Sequence, residues 1–147
     1  MNLEKLRDQR EIDEGVKDEI YNEHLGYPTF GVGHWGLETD PEYNDSIGTS
    51  ISESRVIEAF EQDCDNVLLD CTILYPDFYD LPEEAQQIIA NMMFSLGRTR
   101  LSKFKGMKRG VDAQEWHAAA EEMVASRWYS HCPFATCGDA DDSFRER

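Results

Sequence analysis

The feature of this 147-residue chain that most constrains its fold is a non-helical segment between two helical ones. Asn2 can cap a first helix that runs to about Glu14, where Gly15 supplies a C-terminal stop. Helical spacing returns at about Ser50, because Ser50 and Glu53 form the pattern of a capping box. The pattern therefore predicts a chain that combines a small β region with several helices.

The segment between these helices favours a short sheet. Residues 20–21 predict a short strand and residues 27–35 a second, in which Gly31 and Gly33 share one face. Glycines on one face weaken a strand and often mark a place where a ligand approaches the backbone. Residues 38–49 contain Pro, Asn, Asp and Gly and are predicted to form a loop.

Three helices are predicted after this loop. The first, from Ser50 to about Cys71, is long for so small a chain and can join a β lobe to a helical remainder. The second runs from Pro82 to Leu96, and the third begins at Asp112. The apolar stripes predicted as core are Val56, Phe60, Val67 and Cys71, then Ile88, Ile89, Met92, Met93 and Leu96, and then Trp116, Ala119, Ala120, Met123 and Val124.

The charge balance excludes some partners. With 14 basic and 30 acidic residues the formal net charge is −16, which disfavours nucleic acid and anionic membrane surfaces. We interpret most of this charge as a solubilising surface. The chain has neither a membrane-length apolar run nor a secretory signal at its N-terminus. We therefore expect a soluble monomer, made in the cytoplasm without membrane insertion, that reaches its target after release.

The four cysteines do not form the spacing of a metal site. Cys64 and Cys71 lie about 10 Å apart along a predicted helix, too far to bridge each other, and Cys64 is predicted to be a buried apolar residue. Cys132 and Cys137 can close a short loop only in an oxidising compartment. No metal ion and no other cofactor is expected.

A pair of carboxylates near the N-terminus has the chemistry of a glycosidase. Cleaving a glycosidic bond needs a protonated acid on one side and an oxygen that activates water or attacks carbon on the other. Glu14 ends the first predicted helix, where the negative end of the helix dipole raises a carboxyl pKa. Glu23, in a predicted turn over 22–26, and Thr29 can face it. With 30 acidic residues such spacings are common, so spacing alone fits a solvated helix-end carboxylate equally well.

The segments 12–15, 20–21 and 26–34 together resemble the active-site region of T-even-type phage lysozymes (endolysins, glycoside hydrolase family 24). The family pattern is a Glu, eight residues, an Asp, five residues and a Thr, ahead of Gly-x-Gly-His. Glu14, Glu23 and Thr29 stand at those spacings. The similarity spans about residues 3 to 133, and the further matches downstream are 91–97, Phe104, Trp116 and 126–129.

The resemblance implies an α+β, lysozyme-like fold with a cleft between two lobes, and a single domain over residues 1–147. The implied parts are a β lobe over 15–50, a connecting helix over 51–75, a helical lobe from 1–14 and 76–131, and an atypical tail over 132–147. The implied activity is that of a muramidase, which hydrolyses the β-1,4 bond from N-acetylmuramic acid to N-acetylglucosamine in bacterial peptidoglycan and lyses the cell.

The resemblance also assigns roles to residues. Glu14 is implied as the general acid, Glu23 as the carboxylate that polarises the attacking water, and Thr29 as the hydroxyl that orients this water. His34 and Asp63 are implied as a structural pair, kept away from the bond that is cleaved. The positions implied to line the saccharide groove are Trp35, Phe94 and Glu122, of which Glu122 differs in type from the usual residue.

Two departures from the pattern leave alternatives open. Glu23 stands in place of the family's Asp, and the extra methylene moves the carboxylate by about 1 Å, a shift that can cost about 100-fold in rate. Pro133-Phe134-Ala135 replace an Asn-Arg pair whose Arg contacts the acid, which predicts a higher pKa for Glu14 and a less stable protein. The alternatives are a non-catalytic saccharide-binding protein and a glycosidase that acts on a cationic polymer such as chitosan.

Overall fold

The computed structural model describes residues 1–22, 26–126 and 145. The first half contains a helix, a small sheet and a long helix: α1 (Leu3–Glu14), β1 (Lys17–Asn22), β2 (Pro28–Gly31), β3 (His34–Trp35) and α2 (Glu53–Leu74). The second half is helical, with a 3₁₀ helix (Phe78–Asp80), α3 (Glu83–Leu101), α4 (Lys105–Asp112) and α5 (Trp116–Val124). This is the α+β class that the sequence predicts. Glu23, Cys132, Cys137 and the predicted tail lie outside the described residues, except for Arg145.

Helix α1 begins and ends where the sequence predicts. The Asn2 side chain accepts a hydrogen bond from the backbone N–H of Lys5 at 3.0 Å, which satisfies one of the unpaired donors of the first turn. At the other end Gly15 has a φ of +72° and donates its N–H to the carbonyl of Glu11 at 2.8 Å. Both signals are local, which is why short-range patterns are enough to predict this helix.

The predicted single strand over 27–35 is wrong, because the chain folds back within it. Strands β1, β2 and β3 form one antiparallel sheet in that order, and Phe30 pairs with His34 across a tight turn. Gly31 and Gly33 have φ of +64° and +68°, values that side chains rarely tolerate. A Cβ on Gly31 would also lie 3.3 Å from Cγ1 of Val56. The two glycines therefore make the turn, and Gly31 also allows its close packing on α2.

The start of α2 also differs from the prediction. Ser50 is not its cap but forms an isolated bridge with Glu19, which lies in β1. The cap is Ser52, whose Oγ accepts the backbone N–H of Arg55 at 3.2 Å. Two serines two residues apart carry the same local signal, and pairing with β1 decides between them.

Helix α4 is not predicted from the sequence, and the predicted third helix begins at Trp116 and not at Asp112. Asp112 ends α4, and Gln114, with a φ of +58°, turns the chain before α5 begins. Gly106 and Gly110 weaken the helical pattern of α4. Gly110 is required there, because a Cβ would lie 2.8 Å from the backbone nitrogen of Ala119 in α5. In α3, by contrast, Gly97 (φ +76°) interrupts the helix at the predicted stop, although helical turns resume after it and continue to Leu101.

The chain divides into two compact units, which we call the sheet unit (residues 7–66) and the helical unit (residues 1–6 and 67–147). The largest buried apolar side chains of the sheet unit are Ile20, Phe30, Val32, Ile51, Val56, Phe60 and Cys64. Those of the helical unit include Tyr75, Phe78, Ile89, Met92, Met93, Leu101, Met107 and Met123. Of the predicted core, Val67, Leu96, Trp116 and Val124 are only partly buried. Cys64 and Cys71 are buried and unbridged.

No helix in the described ranges has both the length and the apolar character needed to cross a membrane.

Candidate active site

The predicted acid stands at a helix end. Glu14 is the last residue of α1, directly before the turn at Gly15, and it belongs to the sheet unit. Its side chain and the whole of Glu23 lie outside the described residues. The carbonyl end of a helix carries a partial negative charge, which disfavours an ionised carboxylate. The backbone of α1 thus has the geometry on which the prediction for Glu14 depends.

Thr29 occupies the middle strand of the sheet and is 1% exposed. Its neighbours in register are Tyr21 in β1 and Trp35 in β3. The hydroxyl donates its proton to the carbonyl of Tyr27 at 3.0 Å. A threonine hydroxyl has one proton and two lone pairs, so a water molecule bound to this group would be the donor. The sheet therefore presents Thr29 as an acceptor.

His34 is held by two carboxylates, of which the sequence indicates only one. Nδ1 lies 2.8 Å from Oδ2 of Asp63 in α2, and Nε2 lies 2.7 Å from Oδ2 of Asp40 in the loop after β3. Burial opposes the charged imidazolium, but the hydrogen bonds to Asp63 and Asp40 outweigh it and raise the pKa of His34. The buried ring thus lies between two carboxylates, which favour its charged form.

Asp40 extends this contact into a network of charges. Burial opposes its ionisation, but the N–H of Leu37 (2.8 Å), His34 and Arg55 together lower the pKa of Asp40. Arg55, in α2, reaches Oδ1 of Asp40 at 3.3 Å and contacts both oxygens of Glu42 at 2.5 and 3.1 Å. The network therefore fixes the loop after β3 to α2 within the sheet unit.

Sequence reasoning missed Asp40 and Arg55. The available signal was the Asp40-Pro41 dipeptide, since an aspartate before proline favours a turn in which its side chain accepts backbone N–H groups. That pattern predicts a turn after Asp40 and gives no information about Leu37 or His34, both of which precede it. Arg55 carries no local signal for its contacts with Asp40 and Glu42, which lie 15 and 13 residues away along the chain, although it also pairs with Glu58 three residues on.

The geometry of His34 suits a structural role. Both ring nitrogens already face carboxylates, so neither is free to accept a substrate proton. The residue is also buried, which keeps it from solvent. Among the described residues, no group of three or more His, Cys, Asp or Glu side chains could hold a metal ion.

The three predicted groove residues lie in different elements. Trp35, in the sheet unit, is about half exposed and stacks on Tyr27 with ring centroids 4.8 Å apart and an interplanar angle of 18°. Phe94 is partly buried in α3 of the helical unit. Glu122 is exposed on α5 and lies close to Gly106 of α4. A Cβ added to Gly106 would be 2.5 Å from the carboxylate of Glu122. Each is placed by its own element, and Trp35 presents an aromatic face.

The elements around these residues define the class of fold. A helix ends at a glutamate, a hairpin carries a buried threonine, and a histidine in that hairpin is bound to a long helix. This is the lysozyme-like α+β architecture. The family model described as phage lysozyme matches residues 11–133, which is most of the chain. The chain therefore belongs to the phage lysozyme family.

Individual relatives are distant but cover most of the chain. The protein is 26% identical over 151 residues to the probable T4-type lysozyme 2 of Dictyostelium discoideum, covering 89% of this chain and 88% of that relative. It is 28% identical over 153 residues to the probable T4-type lysozyme 1 of the same organism, with the same coverage. It is also 24% identical to the pre-baseplate central spike protein Gp5 of Enterobacteria phage T4, covering 80% of this chain and 24% of that protein. Membership of the family supports a muramidase-type glycosidase and implies a peptidoglycan substrate.

Proposed function

We propose that the protein is a lysozyme that hydrolyses the β-1,4 bond between N-acetylmuramic acid and N-acetylglucosamine in bacterial peptidoglycan. The observation that carries the proposal is the position of Thr29 in the middle strand. Its partner in register, Tyr21, lies two residues before Glu23, while Glu14 ends the helix that leads into β1. Glu14 and Thr29 thus belong to one helix and one hairpin, and Glu23 stands between them in the sequence at the family spacing.

The mechanism divides the chemistry among these residues. Protonated Glu14 donates its proton to the departing glycosidic oxygen, and the partial negative charge at the helix C-terminus favours the protonated form of this acid. The carboxylate of Glu23 takes a proton from the water that attacks the anomeric carbon. Thr29 accepts the second hydrogen of that water, since its own proton is donated to Tyr27. The hydroxyl thereby orients the attacking water. This orientation lowers the barrier by more than the energy of one hydrogen bond, because it fixes the geometry of attack.

The test is turnover of purified peptidoglycan by the wild type and by Glu14→Gln. We expect the variant to lose on the order of 10³-fold in rate, because glutamine cannot donate a proton to the leaving group. The matched control is Glu11→Gln, a glutamate one turn earlier on the same helix that pairs with Arg7 at 3.8 Å. Equal rates for wild type and Glu14→Gln would contradict the proposal. Saccharide binding without turnover by the wild type would favour a non-catalytic relative, and turnover of chitosan alone a different substrate.

Substitutions at Thr29 test the role of its hydroxyl. Thr29→Val keeps the volume and removes the acceptor, so we expect about a 100-fold loss of rate, whereas Thr29→Ser should retain most activity. Because residue 29 is buried, thermal unfolding of each variant must accompany the assay. A folded valine variant with full activity would exclude the water-orienting role.

A further inference from the structure

A pocket of about 570 Å³ lies within the sheet unit, and its apolar lining combines aromatic and aliphatic side chains. Its lining includes the buried side chains of Ile20 and Phe30 together with Tyr27, Leu37 and Tyr43, each about half exposed. Ligand sites in proteins have volumes of about 300 to 1,000 Å³ and are lined by such residues. Exposed apolar side chains grouped around a concavity indicate a binding site more strongly than scattered ones do.

The polar side chains of the same pocket include two carboxylates and one amide, all of which offer hydrogen-bond acceptors. Glu38, Glu42 and Asn44 line it, and none of its described lining residues is basic. Glu42 is held in place, because the guanidinium of Arg55 binds both of its oxygens. This hydrogen bond lowers the pKa of Glu42, although burial opposes it, so the carboxylate is ionised at neutral pH. The pocket thus has a fixed anionic acceptor beside aromatic faces.

These two properties together select a class of ligand. A pyranose ring has an apolar C–H face that packs on aromatic rings, and its edge carries hydroxyl and amide or amine donors. Carboxylates accept hydrogen bonds from such donors and repel anions such as phosphates. An amino sugar therefore fits better than a nucleotide or an anionic lipid headgroup.

Tyr27 connects the pocket to a predicted substrate residue. One face of its ring stacks on Trp35, which the family resemblance places in the saccharide groove, and Tyr27 itself lines the pocket. A polysaccharide in contact with Trp35 therefore lies beside an aromatic residue of the pocket lining. Under the proposed function, the polymer that reaches Trp35 is the glycan strand of peptidoglycan.

We propose that this pocket is an additional saccharide-binding site that takes one amino-sugar unit of the polymer. This inference takes the class of polymer from the proposed function. It concerns binding of the polymer and not cleavage of a bond. Its aromatic contacts are Tyr27 and Tyr43, and its acceptors are Glu42 and Asn44. Both the N-acetylated and the free-amine sugar offer the required N–H donor.

The test measures binding of N-acetylglucosamine oligomers and, separately, glucosamine oligomers by calorimetry. All proteins carry Glu14→Gln so that bond cleavage does not interfere. We expect Tyr43→Ala to weaken binding of at least one oligomer about five- to tenfold, the value of one aromatic contact. Tyr43→Phe should retain binding. The matched control is Tyr79→Ala, since Tyr79 is 58% exposed against 48% for Tyr43 and lies in the helical unit.

A second variant protects the test against a folding artefact. Asn44 is exposed, and Asn44→Ala should weaken binding about two- to fivefold with an unchanged melting temperature. An unchanged Kd for both Tyr43→Ala and Asn44→Ala overturns the proposal, as does an equal loss in Tyr79→Ala. Preference for the glucosamine oligomer supports contact of its amine with the carboxylates, and preference for the acetylated one supports an amide contact.

The outcome is separate from that of the proposed function. If the protein with Glu14 intact has no turnover but binding depends on Tyr43, the proposed function fails and the site stands. If turnover is present but binding is independent of Tyr43 and Asn44, only the additional site is overturned.

Discussion

The sheet unit buries three charged side chains, whereas the described part of the helical unit buries only apolar and neutral polar ones. The buried charged residues are Arg10, His34 and Asp40. In the helical unit the buried polar residues are Gln86 and Asn91. Most of the other buried side chains there are aliphatic, aromatic or methionine. The two units therefore depend on different interactions for their stability.

The difference in buried charge follows from the residues that each unit holds in place. Burying charges is expensive, and well-packed apolar residues often stabilise a fold equally well. A charge network, however, fixes directions that apolar packing leaves adjustable. His34 pairs directly with Phe30 and precedes Trp35, and the sheet register links the same hairpin to Thr29. The sheet unit thus uses ion pairs where the candidate site needs a fixed hairpin.

The largest effect that we predict is in the helical unit and is independent of pH. Ile89 is fully buried in α3, so Ile89→Ala should lower the free energy of unfolding by about 4 kcal/mol through lost burial and a cavity. Chemical denaturation at about pH 5.5 and about pH 9 should give the same loss. The control is Ile73→Ala, whose side chain on α2 is exposed and should cost less than about 0.5 kcal/mol. A loss at Ile89 that changes with pH would remove the contrast between the units.

A smaller, pH-dependent effect is expected in the sheet unit. His34→Gln should cost about 3 kcal/mol near pH 5.5, because it leaves the buried carboxylate of Asp40 without its imidazolium partner. The pKa of His34 is raised above about 6.5, so this stabilisation is complete below that pH and is lost as the pH rises through the raised value. The difference between wild type and variant should therefore shrink towards about pH 9.

The control for this pH dependence is His117→Gln, which changes an exposed histidine of α5 and should leave stability unchanged at both pH values. Measurements stay above about pH 5, since Asp40 has a lowered pKa and is ionised there. A cost for His34→Gln that is equal at both pH values would mean that the ring acts by packing and not by charge.

Elements with local signals could be predicted from the sequence. The cap at Asn2 and the stop at Gly15 involve groups within four residues of each other, so α1 is predicted at both ends. The buried stripe in α3 follows from helical period alone. The family pattern likewise indicates Thr29, and it names Asp63 as a partner of His34 although the two are 29 residues apart.

Features that depend on tertiary contacts could not be predicted. The segment with Gly31 and Gly33 has the composition of a weakened strand. Only the close packing of Gly31 on Val56 distinguishes the observed hairpin from such a strand. Helix α4 forms despite two glycines, because Gly110 allows α5 to approach. The choice of Asp40 as second partner of His34 depends on the path of a loop, for which one sequence carries no periodic signal.

The smallest effect tests whether the charges of the sheet unit act as one network. The guanidinium of Arg55 lies 5.7 Å from the centre of the Phe30 ring, and Arg55→Met keeps an apolar stem near this ring. The substitution removes the bonds to Asp40 and Glu42, so we expect the free energy of unfolding to fall by about 2 kcal/mol. The control Arg98→Met breaks an exposed pair with Asp70 and should cost about 0.5 kcal/mol or less. Because Arg55 and His34 share Asp40, the double variant with His34→Gln should deviate from additivity by at least about 0.5 kcal/mol. Additive losses would instead mean two independent ion pairs, and the contrast between the units would then rest on burial alone.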